Sequence, residues 1–158
     1  MQAGPKVAGE WGGQMAYDWP VSRMYSLQDA EAIVPEIAVI VQRLRDLRDE
    51  VVALRDAQQA REELLLAGVG EGPEADAELL RLRLRTRGLV DQMQADAVWL
   101  DERDIVLRDI STGLLDFPSE AADGQPIWLC WRLGERSITA WHPIDEGFAG
   151  RRPIRELA

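Results

Sequence analysis

The segment from Trp141 to Ile154, WHPIDEGFAGRRPI, concentrates residue types that carry chemistry. It holds the only histidine of the chain, two acids and two adjacent arginines. An imidazole and carboxylates are ligands that a divalent ion takes, and a metal with an open position can activate water. The candidate metal ligands are His142, Asp145, Glu146 and, from an earlier segment, Asp116. In the alternative interpretation, the histidine ends a strand and bonds to a backbone carbonyl.

The same segment allows an enzymatic interpretation, in which the chain is a small metal-dependent hydrolase. The candidate catalytic residues are His142, Glu146 and Arg132, with an arginine stabilising developing negative charge. A nucleophilic role for Cys130 needs a nearby base. A β-hairpin with its turn at Gly134-Glu135 would put His142 on the face opposite Cys130, so we do not expect thiol chemistry.

Two arginines and two tryptophans are candidates for ligand binding. The forked side chains of Arg151 and Arg152 in GFAGRRP suit a carboxylate or a phosphate. The alternative is that they pair with acids of the first helix. Trp128 and Trp141 could cage an aromatic ligand, or they could form part of the platform where sheet meets helices.

Composition limits the class of protein. The 158 residues suit one domain, and the net charge of −10 argues against a general nucleic-acid binder. There is no apolar run long enough to span a bilayer, so we expect no membrane partner. A single cysteine cannot form an internal disulfide, and the N-terminus has no secretory signal. These features predict a cytoplasmic protein.

The first helix is predicted over residues 26–66. Ser26 followed by Asp29 resembles a capping box, and Pro35 should kink or restart the helix. Apolar residues recur at spacings of four and three, which is a heptad seam. This seam comprises Ile33, Ile37, Ile40, Leu44, Leu47, Val51 and Leu54. We expect one chain to leave part of it uncovered, and this favours a homo-oligomer.

A second helix is predicted over residues 74–103, after the glycine-rich turn AGVGEGP and Pro73. The stretch LLRLRLRTRG alternates like a strand, but its leucines also hold a helical stripe between good helix formers. We therefore predict an antiparallel helical hairpin of coiled-coil type.

Residues 105–142 contain short runs of branched and aromatic residues separated by turn residues, which predicts an antiparallel β-meander. Gly134-Glu135 suits a two-residue hairpin turn. That register puts His142 on one face with Leu129 and Trp131, and Cys130 on the other with Trp141. Residues 143–158 are expected to form an irregular C-terminal wrap, and residues 1–24 an N-terminal arm.

Four stretches resemble one known family. They are YSLQDAEAIVPEI at the start of the first helix, GLLDFP at 113–118, LCWRLGE at 129–135 and WHPIDEGFAGRRPI at 141–154. These are similar to the prokaryotic family catalogued as domain of unknown function, number 2203. The resemblance covers residues 25–154, and the arm before Tyr25 departs from the usual start of the family. The resemblance implies no particular activity, so it assigns no role to any residue of this chain.

The sequence therefore predicts an α+β fold over residues 25–158, in which a long helical hairpin is followed by a small meander and a C-terminal irregular segment. Two functions remain open. The first is a homo-oligomeric binding or scaffold protein assembled through the hairpin, with a small-molecule or anion ligand as a further option. The second is the hydrolase with a divalent metal cofactor.

Overall fold

The computed structural model describes residues 21–157, except for the side chain of Phe148. Most of the predicted N-terminal arm lies outside this range. Two long helices are followed by a five-stranded antiparallel sheet and short 3-10 turns, which confirms the predicted α+β fold. None of the described helices has a stretch long and apolar enough to cross a membrane.

Helix α1 spans Leu27–Leu66, and its first turn is capped as predicted. The Ser26 hydroxyl accepts a hydrogen bond from the backbone N–H of Asp29 at 3.1 Å and donates one to the Asp29 carboxylate at 2.7 Å. Pro35 lies inside the helix, which continues through it without restarting.

Helix α2 spans Pro73–Asp101, with Pro73 in its first turn. The strand-like alternation of LRLRLRTRG is overridden, because Leu79 and Leu89 bury against α1 at helical spacing. Arg83 and Arg85 reach across the hairpin to Glu62 and Glu50 of α1.

Most of the heptad seam of α1 is buried within the chain, and its two end residues, Ile33 and Leu54, are only partly buried. Its first half, including Ile37 and Leu44, packs into the core that the sheet also joins. Its second half, Leu47 and Val51, packs against Leu89 of α2. Each half of the seam packs against a different element, so one chain buries most of it.

The sheet runs in chain order. Its strands are β1 (Val106–Asp109), β2 (Leu114–Glu120), β3 (Pro126–Arg132), β4 (Ala140–Pro143) and β5 (Arg152–Pro153). The C-terminal segment that was predicted to be irregular contains the short strand β5 and two 3-10 turns, at Phe148–Gly150 and Ile154–Leu157. One face packs on the helices. It carries Leu115, Phe117, Leu129, Trp131 and Trp141, all in the main core.

The predicted register between β3 and β4 is wrong by one residue. Trp128 pairs with His142 and Cys130 with Ala140, and a seven-residue loop, 133–139, joins the strands. The backbone turn closes from Glu135 N–H to the Arg132 carbonyl, so Gly134 takes its second central position, with φ of 99°. Because side chains alternate along a strand, the slip moves His142 to the face of Cys130.

Candidate functional site

The face of the sheet turned away from the helices, the distal face, carries an unusual buried polar group. Asp116 of β2 pairs with Cys130 of β3, and His142 of β4 pairs with Trp128, two residues along β3 from Cys130. The three residues are only 2%, 1% and 3% exposed. One donor atom from each lies within 4.8 Å of the others.

A chain of polar contacts runs through this group. The Arg108 Nε donates to Asp116 Oδ2 at 2.7 Å, and His142 Nε2 lies 3.0 Å from the same oxygen. The His142 Nδ1 lies 2.9 Å from the Pro143 carbonyl. The Arg108 guanidinium also stacks over the Trp128 ring, 4.8 Å from its centre. Asp116 therefore receives two cationic or potentially cationic partners on one oxygen.

The surroundings of His142 favour the protonated form of its imidazole. Burial disfavours the charge on His142, but the hydrogen bond to Asp116 and the charge of that carboxylate outweigh it, so the pKa is raised. Both ring nitrogens face oxygen acceptors, which the doubly protonated ring satisfies.

The thiol is held in its neutral form. Burial, and then the negative charge of Asp116, raise the pKa of Cys130 to about 12. The wrong register had separated Cys130 from His142, and the structure brings them together. Thiol chemistry is still disfavoured at neutral pH, because the thiolate is the nucleophile.

The other predicted metal ligands lie apart from this group. Asp145 and Glu146 are exposed in the segment after β4, and Glu146 pairs with Arg152 at 3.2 Å. Arg132, the predicted electrostatic helper, is also exposed. The structure thus brings together Asp116 and His142 from the predicted set, with Cys130 in place of the two acids.

The predicted ligand-binding residues do not converge either. Trp128 lies on the distal face, whereas Trp141 faces the helical core, so the two do not form one cage. Arg151 pairs with Glu135 at 2.9 Å, and Arg152 stacks 5.2 Å from the centre of the Trp141 ring. Glu135 lies in the loop between β3 and β4, and Glu146, which pairs with Arg152, lies in the segment after β4.

Sequence reasoning missed Arg108 as a partner of Asp116. Arg108 lies in β1 directly after Leu107, which pairs with Leu115. The pairing register between β1 and β2 shifts between Leu107 and Asp109. An irregularity of this kind re-aims a side chain, and the local sequence RDIST gives no sign of it.

A comparison with family sequence models gives one match over most of the chain. The sequence model of the family described as "Uncharacterized conserved protein (DUF2203)" matches residues 23–154. The chain belongs to the DUF2203 family. The match spans both helices and all five strands, so the distal face lies inside the DUF2203 region. Searches of curated proteins and of solved structures gave no match.

Proposed function

We propose that this DUF2203 protein is a homo-oligomeric scaffold that self-associates through the outer face of α2. The single observation that carries the proposal is a row of exposed residues on this helix, the outer stripe. It comprises Ala77, Leu80, Leu84, Gly88, Ala95 and Val98. Leu80, Leu84 and Val98 are 56%, 59% and 48% exposed.

The outer stripe is distinct from the face that α2 buries in the hairpin. At 3.6 residues per turn, the buried residues Leu79, Leu89 and Leu100 point to one side of the helix, and the outer stripe points to the opposite side. The spacing of the stripe, mostly three and four residues, matches a helix-packing seam. It reaches from residue 77 to residue 98, about 32 Å along the helix axis.

Gly88 supports a close partner at the middle of the stripe. Glycine within a helix costs roughly 0.5 to 1 kcal/mol relative to alanine. Within the described chain, nothing lies within 4 Å of where its Cβ would be, so intrachain packing does not require glycine there. A second helix that packs closely at this point would explain why the residue is glycine.

The charges beside the stripe make it complementary to a second copy of itself. Arg81 and Arg87 flank its first half, and Asp91 interrupts its second half. Within residues 21–157 these three side chains form no ion pair. In an antiparallel pair with its two-fold axis at Gly88, Asp91 of each copy meets the arginines of the other.

The side-chain sizes fit the same arrangement. With the axis at Gly88, Leu80 of one copy lies within one residue of the position opposite Ala95 of the other, and Ala77 within one residue of the position opposite Val98. A large residue then faces a small one along the contact, which is how packed layers interdigitate. We infer a second copy of this chain as the occupant of the stripe.

The hydrolase interpretation has weaker support. The side chains of two of its expected ligands, Asp145 and Glu146, are exposed and lie outside the buried group around His142, and the thiol beside His142 is neutral.

The proposal is tested by light scattering of the full chain after gel filtration at several micromolar concentrations. We expect a dimer or a larger oligomer that Leu84→Glu converts to a monomer. The new glutamate lies three residues from both Arg81 and Arg87, so the isolated helix tolerates it. Val39→Glu is the matched control, because Val39 is 62% exposed on α1. A monomeric wild type, or equal effects of the two variants, would overturn the proposal.

A further inference from the structure

The fold places the only cysteine and the only histidine of the chain on adjacent strands, beside a buried aspartate. Thiolate, imidazole and carboxylate are each established zinc ligands. A soft sulfur ligand selects zinc and related transition metals over magnesium or calcium.

Asp116 has an unused oxygen in this group. Its Oδ2 accepts from Arg108 and contacts His142. Its Oδ1 is buried and, within the described part of the chain, has no hydrogen-bond partner. Besides burial, the charge of the carboxylate and a side-chain hydrogen bond to it both contribute to the raised pKa of Cys130, so the thiol lies beside the carboxylate, while Oδ1 itself has no partner of good hydrogen-bond geometry. A buried carboxylate oxygen without a partner is costly, and a cation would satisfy it.

His142 is already oriented as a metal ligand would be. Its Nδ1 lies 2.9 Å from the Pro143 carbonyl, which can only accept a hydrogen bond. A proton on Nδ1 leaves Nε2, the nitrogen that faces Asp116, as the atom able to bind a metal. Metal-binding histidines generally donate their second ring N–H to a carbonyl or carboxylate in this way.

We propose that Cys130 Sγ, His142 Nε2 and Asp116 Oδ1 bind one zinc-class divalent ion on the distal face of the sheet. Three protein ligands leave the fourth position of a tetrahedral ion for water or another ligand. One donor atom from each of the three residues lies within 4.8 Å of the others, so small side-chain adjustments bring three ligands to metal–ligand distances of roughly 2.0 to 2.3 Å.

Proton exchange balances the charge of the bound ion. The Cys130 S–H bond and the His142 Nε2–H bond break, both protons leave to solvent, and the ion forms bonds to sulfur and nitrogen in their place. The two positive charges of the ion replace the two that leave, so Arg108 meets no additional cationic charge. Arg108 keeps its hydrogen bond to Asp116 Oδ2, where it holds the carboxylate in place.

The test is a titration of the purified full chain with Co²⁺, followed by absorption spectroscopy. We expect a one-to-one complex with a thiolate-to-cobalt charge-transfer band and displacement of cobalt by Zn²⁺. Because the chain has one cysteine, that band identifies Cys130 without any variant. In weak buffer with a pH indicator, binding should release the thiol proton of Cys130 and the Nε2 proton of each doubly protonated His142 ring.

Three variants separate the proposed ligands from the acids expected on sequence grounds. Cys130→Ser should lose the charge-transfer band, and His142→Gln should weaken binding by a factor of ten or more. Glu146→Gln is the matched control, because Glu146 is an exposed acid of the same segment and should leave binding unchanged. Circular dichroism checks that each variant folds.

Two results would overturn the inference. One is the absence of cobalt binding with a thiolate band in the wild-type chain. The other is uptake that Glu146→Gln abolishes and folded Cys130→Ser retains. The Leu84→Glu variant should bind cobalt normally, so failure of the metal site and failure of the oligomer proposal are distinguishable.

Discussion

The ion pair between Arg43 of α1 and Asp96 of α2 should contribute measurably to the stability of the helical hairpin. Arg43 Nε donates to Asp96 Oδ2 at 2.7 Å, and a second guanidinium nitrogen contacts Oδ1. The Asp96 side chain is only 10% exposed, whereas that of Arg43 is 49% exposed. Arg43→Met should therefore leave a mostly buried carboxylate without its partner.

The expected loss of stability follows from these exposures. Removing one partner of a fully buried pair costs about 3 to 5 kcal/mol. Since half of the Arg43 side chain is in solvent, we expect about 2 kcal/mol, in the range of hydrogen bonds to charged groups. For a chain of this size that corresponds to a melting temperature lower by roughly 4 to 8 °C.

Urea unfolding at one protein concentration, followed by circular dichroism, measures the change. Arg85→Met is the matched control, because the Arg85–Glu50 pair also links the helices but is 62% and 39% exposed, and should cost less than about 1 kcal/mol. Arg43→Met combined with Asp96→Leu should recover most of the lost stability. Equal losses for Arg43→Met and Arg85→Met would refute the reasoning.

Three further predictions concern local structure. Ser26→Ala should lower the free energy of unfolding by about 1 kcal/mol through loss of the helix cap, and an unchanged urea midpoint would contradict this. Gly113→Ala should cost on the order of 2 kcal/mol or more by the same assay, because φ is 68° and the new Cβ would lie 2.5 Å from the Leu133 Cβ; a neutral effect would count against it. The hydrogen bond from Thr112, and then that from the Ser111 N–H, lower the pKa of Asp109, so this stabilisation is present above the ordinary carboxyl pKa and is lost as pH falls through the lowered one. Thr112→Val should raise the Asp109 pKa in an NMR titration, and an unmoved pKa would exclude Thr112 as the cause.

The helices and the order of the strands could be predicted because each has a local signal. The Ser26 cap and the seam of α1 mark one helix, and Pro73 opens the other. The alternation in LRLRLRTRG misleads only locally, because burial of Leu79 and Leu89 against α1 decides the conformation.

The site could be predicted only in part, because it depends on the register between two strands. His142 and Asp116 carry recognisable chemistry, but a hairpin turn placed one residue late put His142 on the wrong face. Nothing in the residue types distinguishes a two-residue connection from the seven-residue loop 133–139, and one residue reverses every side chain of β4.

The oligomer proposal rests on a different surface from the one that the sequence indicated. The seam of α1 is strongly periodic because it meets two partners inside the chain. The outer stripe of α2 is harder to find by sequence, since its leucines belong to the same alternating run as the partly buried Leu82 and directly follow the buried Leu79. Only the hairpin geometry separates the leucines that pack from those that remain exposed, such as Leu80 and Leu84.

Disulfide trapping at Gly88 tests the central proposal most directly. A two-fold axis at this position brings the two copies of Gly88→Cys within the spacing that a disulfide spans, and Cys130 is buried and does not compete. Mild oxidation of the full chain should give a covalent dimer of Gly88→Cys on a non-reducing gel, whereas Val39→Cys should remain mostly uncrosslinked. Equal crosslinking of both variants, or none at Gly88→Cys, would contradict assembly through the outer stripe.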